Sequence, residues 1–536
     1  MATTMPLTTR IIKGLVKIVG SERVLTDPED LYVYSFETIF EDAKYPHFDA
    51  VVKAISEDEI AKIEELATTE GFAIIRRGKN ALNKFHETNG KVILDTTPAP
   101  LITAFDEKVH ESPQQTREHR QKLIDTMIRE RSYKSLASAI ESLFRDKTIL
   151  QCKDCDVCTG YCTVSPAFNH VETYAAKGRY LLTRGLMKGE VEPSEKVAHA
   201  LYSCTLCGLC YAQCAQDLHL HEAILDARRR LAEAGLTHES TRAALKNIIE
   251  YGNPIGASTE MRMRWMRELP ETLLKKKADV LYWAGCNTTL RSGVRKTATA
   301  TVRVLNAAGI DAMTLGDGEG CCGFSLVAGG LFEAAKRNAE QITEAVDKSG
   351  AEMLVTSCSG CFETFTDFYP NKLSVEMPCQ VLHSSQLVER LLKDGNLAPN
   401  NLPMRISYHD SCGLGRHCGV YDAPRKLLGA IPDLQLIEPS LSRERSRCCG
   451  GGGGFWGVNS KASMDLASAR IREDIIPLNV EALAVTCPLC YTNFLYSVKR
   501  HSINMQVYDI MEIMDIALRE SKEVTDFGRM TRVQHS

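Results

Sequence analysis

Cysteine is absent from the first 151 residues of this 536-residue chain, although the whole chain contains 20. The chain also lacks any run of about 20 consecutive apolar residues, the length that a membrane-spanning helix needs. An excess of basic charge is missing too, because 64 lysines and arginines face 68 aspartates and glutamates. The N-terminus shows no charged-then-apolar secretion signal. These absences argue against a membrane-spanning, secreted or nucleic-acid-binding protein and predict a cytoplasmic location.

The cysteines that are present fall almost entirely in clusters, with 18 of the 20 in recurring motifs beyond residue 151. Because the cytosol keeps thiols reduced, we do not expect disulfides. Clustered cytosolic cysteines indicate metal ligands instead.

Two identical runs of the form C-x2-C-x2-C-x3-C give the most specific signal. Three thiolates two residues apart can wrap one cubane cluster, while the fourth cysteine ligates the other cluster. The runs therefore predict two cubane [4Fe–4S] clusters. The expected ligands are Cys152, Cys155, Cys158 and Cys214 for one cluster, and Cys204, Cys207, Cys210 and Cys162 for the other. Structural zinc is the alternative, since zinc also binds CxxC pairs, but it gives no reason for two identical runs.

A five-cysteine unit follows and occurs twice. Its members are Cys286, Cys321, Cys322, Cys358 and Cys361, then Cys412, Cys448, Cys449, Cys487 and Cys490, offset by 126 to 129 residues. Strand-like segments lead into the first cysteine and into the CxxC pair of each unit, so each unit predicts an α/β domain with cysteines at strand ends. Adjacent cysteines suit two irons that share sulfides better than one tetrahedral metal. Buried apolar cysteines or a redox-active dithiol are the alternatives.

With these motifs, residues from about 150 to 515 resemble the D-type subunits of heterodisulfide reductase, or a fusion of its C-type and B-type subunits, with two CCG (cysteine-rich) domains. The resemblance implies a noncubane [4Fe–4S] cluster in each five-cysteine set. It further implies that these ten cysteines are catalytic, because the cluster pair of that family splits a disulfide. Similar subunits serve glycolate oxidase and membrane redox complexes of sulfate reducers. Because open noncubane clusters should be oxygen-sensitive, the resemblance also implies an anaerobic host and a role in anaerobic respiration.

The cysteine-free N-terminus resembles the opening of the flavin-binding domain in glycolate and D-lactate dehydrogenases. The resemblance rests on residues 26–30 (TDPED), 49–52 (DAVV) and 76–78 (RRG). That family continues with a glycine-rich loop against the flavin, whereas residues 79–83 read KNALN here. We therefore expect a degenerate lobe that binds no FAD and has a docking or structural role.

The expected fold class is α/β plus an α-helical ferredoxin. The expected domains are a degenerate FAD-oxidase-like α/β segment (1–105), a helical linker (106–148), a ferredoxin domain (149–235), a helical connector (236–276), CCG domain 1 (277–400), CCG domain 2 (401–520) and a tail (521–536).

Two functions follow from this organisation. The first is an iron–sulfur oxidoreductase with heterodisulfide-reductase-like disulfide and thiol chemistry. The second is a non-catalytic electron relay between a flavin dehydrogenase and the quinone pool. The expected partners are an electron-transferring flavoprotein or flavin dehydrogenase, a membrane cytochrome b subunit that would hold the chain at the cytoplasmic face, and a small disulfide or thiol; no nucleic acid is expected.

Three residues outside the cysteine motifs have a role that the motifs do not assign. His409, followed by Asp410, is a candidate catalytic proton donor or a group that tunes a cluster. The alternative is a strand-end histidine satisfied by Asp410 or by backbone. Cys418 lies six residues after Cys412, which suggests a position near the cluster edge, whereas Cys379 reads as an ordinary packed cysteine.

Two basic segments complete the candidates. Arg416 and His417 could bind an anionic substrate. The three arginines at 228–230 are interpreted as a solvated helix face. The alternative is a site where an acidic patch of a partner docks.

Overall fold

The computed structural model describes residues 7–35, 48–77, 91–96, 152, 157–214 and 216–519. Cys155, the helices expected within residues 115–146 and the tail at 521–536 lie outside these residues. The chain divides into two compact units, Met1–Leu201 with Cys210–Ala227 and Tyr202–Leu209 with Arg228–Ser536.

The first unit begins with a small α/β lobe. Its elements are α1 (Thr9–Val19), β1 (Val24–Leu25), α2 (Pro28–Tyr34), β2 (Ala50–Lys53), α3 (Glu57–Glu70), β3 (Ala73–Arg77) and β4 (Lys91–Asp95). The strand order is β1-β2-β4-β3, with β1 antiparallel and the other pairs parallel. Thr8 and Ser56 cap α1 and α3 by accepting backbone N–H groups. The apolar faces of both helices form one core with the sheet.

A helical region follows the lobe. Its elements are α4 (Val157–Gly160), α5 (Ala176–Lys188), α6 (Glu195–Tyr202), α7 (Leu209–Ala212) and α8 (Leu220–Glu233). Within the first unit, α2 of the lobe lies on this region. The Thr173 hydroxyl donates to the buried carboxylate of Asp30 at 2.5 Å, and the Tyr34 hydroxyl accepts the Glu172 N–H at 3.2 Å.

A buried ion pair lies between two strands of the lobe. Lys53 Nζ on β2 is 3.3 Å from Asp95 Oδ2 at the end of β4, and their side chains are only 5% and 3% exposed. The Tyr34 hydroxyl donates to the same carboxylate oxygen at 3.2 Å. The lobe therefore has a polar anchor inside its core, and such a pair is costly to break because each charge has left water.

The second unit contains two parallel sheets of the same topology. The strands are β5 (Val280–Trp283), β6 (Ala312–Met313), β7 (Met353–Thr356), β8 (Gln380–His383), β9 (Arg405–Tyr408), β10 (Gln435–Leu436), β11 (Ala482–Val485) and β12 (Gln506–Asp509). Their orders are β6-β5-β7-β8 and β10-β9-β11-β12. We call the two α/β parts the first half and the second half.

Helices cover these sheets. Those before and within the first half are α9 (Glu239–Tyr251), α10 (Thr259–Met263), α11 (Cys286–Leu290), α12 (Lys296–Ala307), α13 (Phe324–Ala328), α14 (Phe332–Ser349), α15 (Ser359–Glu363) and α16 (Ser384–Lys393). Those of the second half are α17 (Asp422–Gly429), α18 (Phe455–Val458), α19 (Ser460–Arg470), α20 (Pro488–Arg500) and α21 (Ile510–Ala517). Helix α19 continues directly as a π-helical turn, Ile471–Ile475.

One hydrophobic core joins the two halves. It contains residues of α12 and α16 from the first half and of α17 and α21 from the second. Helix α12 packs on α21, and α16 packs on α17, so the helix that leads into the second strand of each half contacts the last helix of the other. The halves are thus related by an approximate twofold arrangement. Among the described residues, no helix is both long and apolar enough to traverse a bilayer.

Replacing Lys53 by methionine should destabilise the lobe by about 3–5 kcal/mol, because Asp95 then keeps a buried charge without its cation. The measurement is amide hydrogen exchange of β2 and β4, which should become faster. Lys62→Met is the matched control, since Lys62 pairs with Asp58 on the surface of α3 and should change exchange little. Equal exchange in both variants would contradict the anchoring role of Lys53.

Candidate metal centre

The ten cysteines of the two five-cysteine sets lie in segments that follow parallel strands. Cys286 begins α11 shortly after β5, and Cys358 follows β7 and caps α15 by accepting the Cys361 N–H on its sulfur at 3.4 Å. Cys487 follows β11 in the same way and precedes α20. Because the carboxyl ends of parallel strands meet at one edge of a sheet, each half gathers its own thiols at that edge of its sheet.

The thiols of each half contact one another in the same order. In the first half the order is Cys286, Cys321, Cys322, Cys361, Cys358, and in the second half it is Cys412, Cys448, Cys449, Cys490, Cys487. Cys358 also contacts Cys487, so the two sets meet at matching members. Nine of the ten are buried and Cys412 is half-buried.

A single cavity of about 90 Å³ lies against both sets. Nine of the ten cysteines line it, all except Cys448. The rest of its lining is mostly apolar or small, including Pro254, Phe324 and Leu489, and Glu363 is its one charged residue. The cavity therefore belongs to both halves at once.

Glycine at position 285 is required by the thiols. Its φ is +78°, and a Cβ there would lie 3.3 Å from the Cys361 sulfur. A side chain would therefore be strained and would crowd the first set. This close approach explains the glycine immediately before Cys286.

The donor chemistry fits iron–sulfur groups. The thiols share hydrogen bonds, which lower the pKa of Cys448 and Cys449 and raise the pKa of their partners Cys207, Cys412 and Cys490. Backbone N–H groups of Gly323 and Gly450 also point at the sulfurs of Cys321 and Cys448, at 3.4 Å each. Buried thiols with N–H donors are suited to hold an anionic metal–sulfur group rather than to stay as protonated side chains.

Five described cysteines of the two four-cysteine runs lie together in the first unit. Cys158 is surrounded by Cys152, Cys210 and Cys214, and burial followed by these neighbours raises its pKa well above the usual range. Cys162 packs into the same cluster of residues. Arg179 Nη1 donates to the Cys162 sulfur at 3.6 Å. The structure thus brings together the described members of both runs that belong to this unit.

Cys204 and Cys207 belong to the second unit, where Cys207 reaches the second half. Its thiol hydrogen-bonds with Cys448 and is close to Cys412. Arg416 fixes the same loop, because its Nε donates to the Cys207 carbonyl oxygen at 2.7 Å. Sequence reasoning did not foresee this contact between a ferredoxin-type run and the second half.

The solvated-face interpretation of residues 228–230 is wrong for Arg228. Its side chain is fully buried and donates to the carbonyl oxygens of Cys204, Ala328 and Gly453 at 2.5–2.7 Å. Buried carbonyls without N–H partners attract a guanidinium with several donors. Arg228 therefore ties the Cys204 loop to both halves, whereas Arg230 is exposed.

His409 lies against the second set of thiols. One of its ring nitrogens comes within 4.8 Å of the sulfurs of Cys449 and Cys490. Neither ring nitrogen has a hydrogen-bond partner among the described residues, so the interpretation of a satisfied strand-end histidine is wrong. Asp410 pairs instead with Arg425, at 2.7 Å. Burial lowers the pKa of His409 well below its usual range, which favours a neutral imidazole facing the sulfurs.

The remaining candidates divide between the cavity wall and the surroundings. His417 Nδ1 hydrogen-bonds with Glu363, which lines the cavity, so its ring is engaged by a carboxylate rather than open to an anion. Arg416 is likewise engaged by the carbonyl oxygens of Cys207, Glu444 and Ser446. Cys418 lies by Thr366 and is partly buried, and Cys379 is also partly buried.

Sequence reasoning missed two buried charged residues near the site, Glu363 and Arg470. Glu363 lies two residues after the CxxC pair of the first half, so its place near Cys361 was a usable signal. Arg470 reaches the thiols from α19, and its sequence neighbourhood gives no sign of this. It is fully buried, and its guanidinium lies close enough to Cys448 and Cys449 to feel their charge.

Comparison with known proteins bears on both parts of this site. A family model for the cysteine-rich CCG domain matches residues 280–366 and 406–495, and a model for the 4Fe-4S dicluster domain matches residues 148–218. Among solved structures, a hypothetical protein from Helicobacter pylori covers 77% of this chain and 78% of its own at 10% identity, with a TM-score of only 0.39.

Three curated relatives illustrate the range. The D-type subunit of dihydromethanophenazine:CoB–CoM heterodisulfide reductase from Methanosarcina barkeri is 30% identical over 386 residues, 68% of this chain and 93% of that protein. A probable iron–sulfur-binding oxidoreductase, FadF, of Bacillus subtilis is 29% identical and covers 61% of this chain and 47% of its own. The B-type subunit of fumarate reductase (CoM/CoB) from Methanothermobacter marburgensis is 27% identical and covers 69% and 73%.

Fold and site together define an iron–sulfur oxidoreductase with two CCG domains and a dicluster domain that provides for two cubane [4Fe–4S] clusters. The chain belongs to the family of the D-type subunits of heterodisulfide reductase, which confirms the resemblance noted from its motifs.

Replacing Gly453 by alanine should disturb the Cys204 loop. A Cβ at this position would lie 2.4 Å from the Thr205 carbonyl carbon and 2.8 Å from the Cys204 carbonyl oxygen, so the loop must move. We expect the variant to lose about four irons per chain, the content of one cubane cluster. Gly454→Ala is the matched control, because Gly454 also has a positive φ, +84°, but nothing lies within 4 Å of its Cβ position. Iron content should stay near the wild-type value in the control, and equal losses in both variants would contradict this role of Gly453.

Proposed function

We propose that this protein reduces or forms a disulfide at iron–sulfur groups held by the two five-cysteine sets. The observation that carries the proposal is the single cavity that nine cysteines from both halves line. A disulfide has two sulfur atoms, and a site with two facing thiol sets offers a separate place for each.

The ten cysteines are the proposed ligands of two noncubane [4Fe–4S] clusters, five to each. When bound, such groups supply electrons and open iron sites for sulfur. The overall reaction takes up two electrons and two protons, breaks the S–S bond and releases two thiols. The reverse reaction joins two thiols into a disulfide and releases two electrons and two protons.

The chain's own residues arrange the electron and proton supply. Contact of Cys207 with Cys448 makes the second half the entry point for electrons that come from the cubane clusters. The Glu363–His417 hydrogen bond lies at the cavity wall, and the Glu363 carboxylate outweighs burial in raising the pKa of His417. This pair can hold a proton there for a departing thiolate.

The lining of the cavity also bears on the kind of disulfide. Among its residues there is no lysine or arginine, and Glu363 is a carboxylate. An anionic group in this cavity would find no lysine or arginine in the lining to pair with, in a buried, poorly solvated place. An uncharged disulfide is therefore the better match.

A pure electron relay is the second candidate, and the same contact of Cys207 with Cys448 supports it. In this role the protein would pass electrons between an electron-transferring flavoprotein or flavin dehydrogenase and a membrane cytochrome b subunit. These partners are proposed for both functions, because the sequence of the chain predicts no flavin site of its own.

Protein purified without oxygen should contain about sixteen irons per chain and matching sulfide, from four clusters of four irons. Cys449→Ser should lose about four of them, because Cys449 lies in the middle of the second thiol set. Cys379→Ser, which changes a cysteine outside both sets, should keep the full content. About eight irons in the wild-type protein would contradict loading of the five-cysteine sets.

Anaerobic turnover with a reduced dye as electron donor should consume an uncharged disulfide faster than a dianionic disulfide of similar size. Cys412→Ser should lower the rate by about a hundredfold or more, because loss of a ligand should cost at least as much as loss of an outer-shell partner, and Cys379→Ser should not lower it. Oxidation of the donor by a quinone in the presence of the membrane partner, with no disulfide consumed by the iron-loaded protein, would favour the relay instead.

A further inference from the structure

The two halves match in fold and thiol order but differ in charge around the thiols. Counting from the first cysteine of each half, Trp283 corresponds to His409 and Leu290 corresponds to Arg416, both at an offset of 126 residues. The second half thus has an arginine where the first half has a buried leucine. The repeat has kept its ligands while its electrostatic surroundings have diverged.

Arg470 adds a second cation to the second half. It is fully buried, and only its Nη2 has a partner, the Ser446 hydroxyl at 3.0 Å. Its Nε and Nη1, like Nη2 of Arg416, are buried without a hydrogen-bond partner among the described residues. The matching stretch of the first half, 341–343, reads Gln, Ile and Thr and has no charge.

Unpartnered guanidinium nitrogens in a protein interior are costly unless they face negative charge. The charges that act on Arg470 include those of Cys448 and Cys449 and the carboxylate of Asp474. Asp474 is itself bound to Arg447, at 3.1 Å. The thiol set of the second half is therefore the negative partner that remains for Arg470.

The first half is balanced differently. Its buried cation, Arg262, donates to the carbonyl oxygens of Gly320 and Gly252. It also interacts with the buried carboxylate of Glu319, which accepts the N–H groups of Ala284 and Gly285 near Cys286. One cation with one carboxylate leaves little net charge near the first set.

We propose that Arg470, together with Arg416, raises the reduction potential of the group in the second half above that of its counterpart in the first half. Reduction adds negative charge, and a fixed cation in a low-dielectric interior stabilises the reduced form. The first electron would then rest in the second half, on the side where Cys207 makes contact. This inference rests on the proposed loading of both sets and not on disulfide turnover.

The test is a redox titration of the iron-loaded protein, followed by electron paramagnetic resonance and visible absorption. Arg470→Met removes the charge, and Arg470→Lys keeps it. Cys412→Ser identifies the signal of the second half by its loss. Gln341→Met is the control at the matching region of the first half.

We expect the second-half signal of Arg470→Met to move to more negative potential, so that its reduced-to-oxidised ratio at a fixed potential falls about tenfold or more. The first-half signal should not move, and Arg470→Lys and Gln341→Met should titrate like the wild type. Iron content and circular dichroism check that each variant folds and is loaded.

Several results would overturn the inference. These are equal shifts of both signals, a shift of Arg470→Lys as large as that of Arg470→Met, no shift at all, or no reducible signal from the second half. A protein that shows the expected shift but turns over no disulfide would refute the proposed enzymatic function and leave this assignment standing.

Discussion

Confinement of eleven mutually contacting thiols inside one folded unit is the constraint on which this structure depends. Ten come from the two halves and Cys207 is the eleventh. Neutral thiols could pack as small apolar groups, but ionised ones would repel each other strongly in a buried place. Metal binding removes this conflict, because it replaces protons by iron, and it links folding of the second unit to cluster loading. The shared core of α12, α16, α17 and α21 then holds the halves in the position that the thiols need.

Backbone geometry prepares the same place. The strands stop where the cysteines begin, Gly285 leaves room for the Cys361 sulfur, and N–H groups after Cys321 and Cys448 point back at sulfur. Arg228 and Arg416 hold the loop of Cys204 and Cys207 by binding its carbonyl oxygens. The functional site is thus supported by main-chain contacts, which depend less on side-chain identity than the thiols do.

The fold and the ligand candidates followed from local patterns. Strand-like segments before the cysteines predicted β5, β7, β9 and β11, and the cysteine offsets revealed the repeat, because both are properties of short segments. What the sequence could not show were contacts across long separations. Arg228 looked like part of an exposed charge run, yet it reaches carbonyls about 100 and 225 residues away. Sequence adjacency suggested Asp410 as a partner for His409, but Asp410 pairs with Arg425 and the His409 ring faces the thiols.

The contact of Cys358 with Cys487 has a consequence for the history of this fold. Beside it, the Ser359 hydroxyl donates to the Thr486 carbonyl oxygen at 2.7 Å, again joining the two halves. Neither half alone encloses the cavity, because residues of both halves line it. An ancestor with a single half could therefore have formed this cavity only by pairing with a second copy of itself. Fusion of two such copies would free each side to change separately, so that a symmetric pair could become an asymmetric centre within one chain.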